Sequence, residues 1–149
     1  MTSPQQNILF LCTGNSCRSV MAEALLAGLG EGRFAAFSAG SHPAGTVNPF
    51  TLDLLAARGH ETAHLRSKSW DAFSEPDAPR MDMIITVCDN AAGEVCPVWP
   101  GDPAGAHWPF PDPAMFQGSP SETQAYYANV YGQIEARLSR FVTDPEDLA

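Results

Sequence analysis

Short apolar runs alternate along the chain with longer segments in which apolar residues recur every three or four positions. The runs at residues 7–11, 33–39 and 81–87 each end at a cysteine or a glycine. Runs of this length, rich in β-branched and aromatic residues, are typical of buried strands. A shorter fourth strand is predicted at residues 106–109, after a stretch rich in proline.

Helical periodicity and capping residues predict three helices between and after these strands. The first covers residues 18–29, and Gly30 follows its end. The second begins with a capping Asn48 and a first-turn Pro49 and reaches residue 58. The third begins at a capping box, residues 119–122. Its apolar face consists of Tyr127, Val130, Tyr131, Ile134, Leu138 and Phe141. One or two further helical turns are predicted within residues 67–73.

Alternating strands and helices predict an α/β protein with a four-stranded parallel sheet that helices cover on both faces. A chain of 149 residues suits one compact domain, so we expect a single domain over residues 1–149. Parallel sheets bind ligands beyond the carboxyl ends of their strands. The segments that follow residues 11 and 87 and the last strand belong to that edge, which is where we expect the chemistry.

The composition excludes several classes of function. A net charge of −9 with only 8 lysines and arginines provides no basic surface for nucleic acid. No apolar run approaches the ~20 residues of a membrane span. A signal peptide would begin with basic residues, and the first six residues contain none. We therefore expect a cytoplasmic protein. In a reducing compartment its four cysteines favour catalytic, redox or metal-binding roles over structural disulfides.

The most distinctive chemistry lies between the first strand and the first helix, in CTGNSCRS (residues 12–19). Backbone N–H groups converge at a helix N-terminus, and the planar guanidinium of Arg18 suits a tetrahedral oxyanion. These surroundings favour the thiolate of Cys12, and Ser19 is placed to donate a hydrogen bond to its sulfur. We predict Cys12 as a nucleophile in an oxyanion-binding loop formed by Thr13, Gly14, Asn15, Ser16, Cys17, Arg18 and Ser19. A tight strand–helix turn with incidental polar residues is the alternative.

Three segments resemble a known family: CTGNSCRS followed by MAE, FSAGSHP after the second strand, and FPDPA around residue 112. They are similar to low-molecular-weight protein tyrosine phosphatases and to the arsenate reductases built on that fold. The resemblance covers most of the chain and implies a three-layer, flavodoxin-like sandwich of the phosphotyrosine phosphatase I type. It also implies that Asp112 is the general acid; taken alone, an aspartate–proline pair is only a turn signal.

Two further cysteines bear on which branch of this family the chain resembles. Cys88 and Cys96 follow the third predicted strand in a loop of small residues, at the same edge as Cys12. A hydrolytic phosphatase completes its cycle with water, whereas a reductase needs two electrons, which thiols supply. The resemblance to arsenate reductases implies a relay in which Cys12 attacks arsenate, Cys88 attacks Cys12 and Cys96 attacks Cys88. We therefore expect reduction of arsenate to arsenite for arsenic detoxification.

Other interpretations stay open. One is a phosphatase that hydrolyses phosphotyrosine through a phospho-Cys12 intermediate, although Ala114-Met115-Phe116 stands where such phosphatases usually carry tyrosines. A second is a redox-responsive oxyanion-binding module without catalysis. A third is zinc held by the second cysteine pair with His60, His64 or His107, but Cys-x7-Cys is not a usual zinc spacing.

We expect no cofactor and no resident metal. Some relatives bind potassium through residues matching Asn15, Glu23 and Ser38, but Lys68 would oppose a cation there. Arsenate is the expected substrate, and phosphate or sulfate would fit the same loop. Thioredoxin, or glutathione with glutaredoxin, is the expected reductant; seven residues separate Cys88 from Cys96, against six in well-known thioredoxin-coupled relatives. We expect a monomer that binds neither nucleic acid nor membrane.

Overall fold

The computed structural model describes residues 5–30, 32–87 and 103–146. Within these residues the strands are β1 (Gln6–Leu11), β2 (Phe34–Ala39), β3 (Met83–Thr86) and β4 (Ala104–His107). The α-helices are α1 (Arg18–Leu29), α2 (Pro49–Ala57) and α3 (Pro120–Thr143), and two 3₁₀-helices cover Trp70–Phe73 and Pro113–Met115. Cys88 and Cys96 lie outside the described residues.

The four strands form one parallel sheet in the order β2-β1-β3-β4. The central strand β1 pairs on one side with β2, where Leu11 lies opposite Ala39, and on the other with β3, where Leu11 lies opposite Thr86. This arrangement confirms the predicted α/β fold with a four-stranded parallel sheet. It also brings the carboxyl ends of β1, β2 and β3 to one edge.

Side chains of β1 alternate between two cores, because successive residues of a strand point to opposite faces. Ile8 and Phe10 are fully buried against α1, α2 and α3, in the larger core. Leu9 and Leu11 belong to a smaller core that includes Phe73 of the first 3₁₀-helix. The predicted apolar face of the last helix is confirmed, since the following residues of α3 are all buried: Tyr127, Val130, Tyr131, Ile134, Leu138 and Phe141.

Most element boundaries differ from the predicted ones by one or two residues, and the largest differences have identifiable causes. The helical turns predicted over residues 67–73 cover only Trp70–Phe73. Residues 67–69 run alongside the end of β2 instead: Gly40 N–H donates to the Lys68 carbonyl, and Trp70 N–H donates to the Gly40 carbonyl. These backbone groups are therefore not available for helical hydrogen bonds.

The last two strands are also shifted or shortened. β3 was predicted over residues 81–87 but pairs only over Met83–Thr86, with β1 on one side and with the four residues of β4 on the other. β4 was predicted over residues 106–109 and lies at Ala104–His107. Proline has no N–H to donate, so Pro109 cannot extend that ladder.

Candidate active site

The loop of residues 12–17 connects the carboxyl end of β1 to the N-terminus of α1. Cys12 continues the alternation of Ile8 and Phe10, and it is buried with them on the face covered by the helices. Its N–H donates to the carbonyl of Ala39 at 3.2 Å. The sheet therefore fixes the position at which the loop begins.

Backbone carbonyls of the loop are held from outside it. The carbonyls of Thr13 and Gly14 accept hydrogen bonds from His42 N–H and Ala44 N–H, both at 2.9 Å. The carbonyl of Ser16 accepts one from Asn48 N–H at 3.0 Å. In a trans peptide the carbonyl and the following N–H point in opposite directions. The N–H groups of residues 14, 15 and 17 therefore point toward the inside of the loop.

The N-terminus of α1 adds to this group of donors. Cys17 occupies the N-cap position but makes no side-chain cap, and the first turn contains no acidic residue. Orphan N–H groups and the positive end of the helix dipole favour an anion at such a position. The loop and the start of α1 together line a cavity of about 230 Å³ with residues 12–18.

Arg18 and Asp112 lie on the same side of this cavity. Arg18 Nη2 is 3.4 Å from Asp112 Oδ2, and Arg18 Nη1 donates to the Phe110 carbonyl at 3.0 Å. The buried Nε of Arg18 has no hydrogen-bond partner among the described residues. A buried donor of this kind is costly unless an acceptor reaches it, so the guanidinium is suited to an oxyanion in the cavity.

Asp112 is held in a defined orientation without being fully buried. Its Oδ1 accepts the N–H of Ala114 at 3.0 Å and caps the 3₁₀-helix Pro113–Met115. Its side chain remains 35% exposed, against 12% for that of Arg18. Both Asp112 and Ala114 line the cavity. This position is compatible with proton transfer to a bound ligand.

The buried side chain of Asn15 stabilises the loop through hydrogen bonds. Asn15 is fully buried and has a φ of 46°, in the left-handed region that non-glycine residues rarely adopt. Its Nδ2 donates to Ser19 Oγ at 2.8 Å, and its Oδ1 accepts Lys68 N–H at 2.9 Å. Ser67 Oγ also donates to the Gly14 carbonyl at 3.1 Å. These contacts hold Asn15 in its unusual conformation. The hydrogen bond predicted from Ser19 to the Cys12 sulfur stays a prediction.

Gly40, in the FSAG segment, is required by the close approach of the loop. A Cβ at this position would lie 2.7 Å from the carbonyl oxygen of Cys12 and closer still to that of Thr13. Both contacts are with backbone atoms, which cannot move aside. The residue after β2 must therefore be glycine for the loop to pack against it.

Glu23, Ser38 and Lys68 form a polar cluster beside Asn15. Glu23 accepts a hydrogen bond from Ser38 Oγ at 2.5 Å. Burial raises the pKa of Glu23, against the opposing effects of Ser38 and of Lys68. Burial lowers the pKa of Lys68, and Glu23 opposes that shift. Lys68 thus supplies positive charge next to the carboxylate.

These residues do not fit a potassium ion. The amide oxygen of Asn15 already accepts Lys68 N–H, and Ser38 donates to the carboxylate that a cation would need. The charge of Lys68 would repel the ion. Within residues 5–30, 32–87 and 103–146, no three histidines, cysteines, aspartates or glutamates come together as metal ligands.

The structure brings together the predicted residues at one edge of the sheet, from Cys12 through Arg18, with Asp112. Other contributors were not predicted from the sequence. The Phe110 carbonyl and Ala114 belong to a proline-rich loop that has no periodic signal. Asn48 was predicted only as a helix cap, yet its N–H supports the loop.

No described helix is long and apolar enough to span a membrane.

Comparisons with known proteins agree with this geometry. The low molecular weight phosphotyrosine protein phosphatase family matches residues 7–148. An arsenate reductase of Halalkalibacterium halodurans is 34% identical over 134 residues, which cover 90% of this chain and 93% of that protein. The crystal structure of an arsenate reductase from Archaeoglobus fulgidus superposes with a TM-score of 0.71 at 32% identity, over 92% and 99% of the two chains. A thioredoxin-dependent arsenate reductase of Corynebacterium glutamicum gives 0.66 at 25% identity, over 98% and 66%.

Proposed function

The chain belongs to the low molecular weight phosphotyrosine protein phosphatase family, and we propose that within this family it is an arsenate reductase that works through a cysteine relay. The observation that carries this proposal is the cavity of residues 12–18 with Asp112 on its rim, in a chain whose similar relatives are arsenate reductases over nine-tenths of its length. Arsenate is a tetrahedral oxyanion, and the donors of this cavity suit one.

Binding is the task of Arg18 and of the loop amides. The N–H groups of residues 14, 15 and 17 and the start of α1 provide donors of fixed direction, and Arg18 Nε and Nη2 add a planar pair. The same positive surroundings stabilise the thiolate form of Cys12. A thiolate at the base of the cavity is then a nucleophile next to a bound electrophile.

The first chemical step forms a bond between the Cys12 sulfur and arsenic(V). One arsenate oxygen leaves as water and takes the proton that Asp112 provides as general acid. Arsenic remains in its +5 state at this stage, because the thiolate has replaced an oxygen without electron transfer to arsenic.

The second step reduces arsenic. A thiolate of Cys88 attacks the Cys12 sulfur, so that an S–S bond forms and the S–As bond breaks. The bonding pair goes to arsenic, which leaves as arsenite(III), and the two sulfurs have together lost two electrons. Cys96 then attacks Cys88, which releases the Cys12 thiolate and leaves a Cys88–Cys96 disulfide. An external thiol donor reduces this disulfide by the same exchange.

The external reductant is thioredoxin, or glutathione with glutaredoxin. The Corynebacterium glutamicum relative is named as thioredoxin-dependent, which supports the first. The cycle requires free thiols and hence a reducing compartment, so we place the protein in the cytoplasm. All residues of the relay come from one chain, which is sufficient for a monomer to act.

A phosphatase activity is the second candidate, since phosphate has the same shape as arsenate and the family as a whole is named for phosphotyrosine hydrolysis. In that case water would attack phospho-Cys12, and Cys88 and Cys96 would have no chemical task. A binding module that responds to redox state would retain the cavity and have no turnover.

The deciding experiment measures arsenite formation from arsenate with a thioredoxin system or excess dithiothreitol. We expect turnover by the wild type, and none by Cys12→Ser or Cys88→Ser, while both variants still bind phosphate. Hydrolysis of p-nitrophenyl phosphate is measured in parallel. Equal hydrolysis by wild type and Cys88→Ser, without arsenite from either, would establish the phosphatase instead. Phosphate binding without any turnover would establish the binding module.

A further inference from the structure

The second half of the oxyanion loop contacts a different part of the fold from the first half. Residues 13–15 are held by the segment after β2 and by residues 67 and 68. The Ser16 carbonyl accepts the Asn48 N–H, and the Cys17 side chain contacts Tyr127 of α3. The Cys17 N–H of the Ser16–Cys17 peptide is one of the donors that point into the cavity.

The Cys17 side chain turns toward α3. It is buried, and its Sγ lies 3.7 Å from the hydroxyl oxygen of Tyr127. Burial, with the neighbouring Cys17 sulfur, raises the pKa of the Tyr127 hydroxyl, which also hydrogen-bonds the Asn48 side chain. The Tyr127 hydroxyl therefore connects Cys17 with Asn48.

Asn48 connects the Tyr127 hydroxyl back to Ser16. Its N–H donates to the Ser16 carbonyl at 3.0 Å, and its Oδ1 caps α2 by accepting Phe50 N–H at 2.9 Å. The Phe50 ring stacks on that of Tyr127, with centroids 5.3 Å apart. The contacts thus form a closed circuit that runs through Ser16, Cys17, Tyr127 and Asn48. This circuit fixes the Ser16–Cys17 peptide.

We propose that Tyr127 is a positioning residue for oxyanion binding: its hydroxyl holds the Ser16–Cys17 peptide in the orientation that directs the Cys17 N–H into the cavity. Tyr127 does not touch the ligand in this arrangement and acts through Cys17 and Asn48. The inference concerns the binding cavity and rests on the proposed function only where arsenate turnover is measured.

The chain offers a matched control one helical turn later. Tyr131 is as buried as Tyr127, at 2% exposure, and its hydroxyl lies 2.7 Å from His60 Nε2. Tyr127→Phe and Tyr131→Phe each remove the hydroxyl of a buried tyrosine of α3: the first loses its contacts with Cys17 and Asn48, and the second loses its contact with His60. We expect similar decreases in melting temperature from the two variants, because the lost interactions are of the same kind.

Phosphate affinity, measured by calorimetry, separates the two variants. We expect Tyr127→Phe to raise the phosphate Kd about three- to tenfold, the size expected when one modest hydrogen bond no longer orients a donor. Tyr131→Phe should leave the Kd within about twofold of the wild type. If the wild type reduces arsenate, its KM should rise in Tyr127→Phe with kcat little changed.

A double-mutant cycle tests the route through the sulfur. In a Cys17→Ala background, Tyr127→Phe should cause a smaller loss of phosphate affinity than in the wild type, because the contact with the sulfur is already absent and only the one with Asn48 remains. Equal phosphate affinity of wild type and Tyr127→Phe, or full additivity in the cycle, would overturn the inference. Since phosphate binding needs no turnover, these results hold even if the protein does not reduce arsenate.

Discussion

The guanidinium of Arg18 lies 3.4 Å from the carboxylate of Asp112, although the two residues are 94 positions apart in the sequence. Arg18 begins α1, directly after the loop that follows the central strand, and Asp112 caps a 3₁₀-helix after the edge strand β4. Their meeting places a permanent positive charge and a half-exposed carboxylate at one cavity.

Replacement of Arg18 by lysine should weaken oxyanion binding even though the charge is kept. An ammonium group cannot provide the paired, planar donors of a guanidinium, so we expect the phosphate Kd to rise about 10- to 100-fold. Arg33→Lys is the matched control, because Arg33 donates to the Val142 carbonyl at the other end of the sheet. Calorimetric titration of both variants checks this, and an unchanged Kd for Arg18→Lys would contradict the assigned binding role.

Asp112→Asn should reduce turnover without loss of ligand binding. The amide keeps an oxygen to cap Ala114, but it cannot provide the proton, so we expect arsenate turnover to fall about 10²- to 10⁴-fold. Phosphate binding should be equal or tighter, since a negative charge near Arg18 is removed. Asp82→Asn is the control, because Asp82 accepts Asn7 N–H away from the cavity. A turnover loss matched by a rise in phosphate Kd would assign Asp112 to binding instead.

Cys96→Ser should stop the cycle after one turnover. Without the third thiol, the Cys12–Cys88 disulfide has no resolving partner within the chain, so thioredoxin-supported reduction should yield about one arsenite per protein. Quench experiments that count arsenite, with mass spectrometry of the trapped disulfide, check this result. Multiple turnovers at the wild-type rate would exclude the relay as proposed, and Cys88→Ser should yield no arsenite.

Two glutamates should affect the pH dependence of stability in opposite directions. Burial raises the pKa of Glu23, so its contribution is fully present below its unfolded-state pKa and is lost as pH rises through its folded-state pKa. The capping box with Ser119 lowers the pKa of Glu122, so its contribution is present above the unfolded-state pKa and is lost as pH falls. We expect the melting temperature of Glu23→Gln to rise relative to wild type between pH 4 and pH 8, and that of Glu122→Gln to fall. The same trend in both variants would contradict the assignments.

Potassium should not stabilise the wild type beyond the effect of ionic strength. Lys68, the one lysine of the sequence, already supplies positive charge beside Glu23. We therefore expect equal melting temperatures and phosphate affinities in potassium chloride and in choline chloride. Lys68→Met should melt at lower temperature above neutral pH, whereas Arg66→Met, which removes a neighbouring exposed charge, should have little effect. A potassium-specific gain in the wild type would show that the cluster does hold the ion.

Much of the fold follows from local signals. Apolar periodicity and capping residues predicted α1 and α2 to within a residue of their ends and the start of α3 at its capping box, since those signals act within a few residues of chain. The run from Asn7 to Leu11 predicted the central strand for the same reason. Of the one or two helical turns predicted within residues 67–73, a single turn forms and begins only at Trp70, because the backbone just before it pairs with Gly40, a partner that no local pattern reveals.

The sequence by itself determined the chemical identity of the site: a cysteine, an internal glycine and an arginine between a strand and a helix, with two further thiols after another strand. Tertiary structure alone decided which groups orient that loop. The Asn48 N–H, the Lys68 N–H and the Tyr127 hydroxyl reach it from distant elements. Each of these residues has an ordinary local role as a helix cap, a loop cation or a core aromatic. Their contacts with the loop exist only because a parallel sheet brings the carboxyl ends of its strands to one edge.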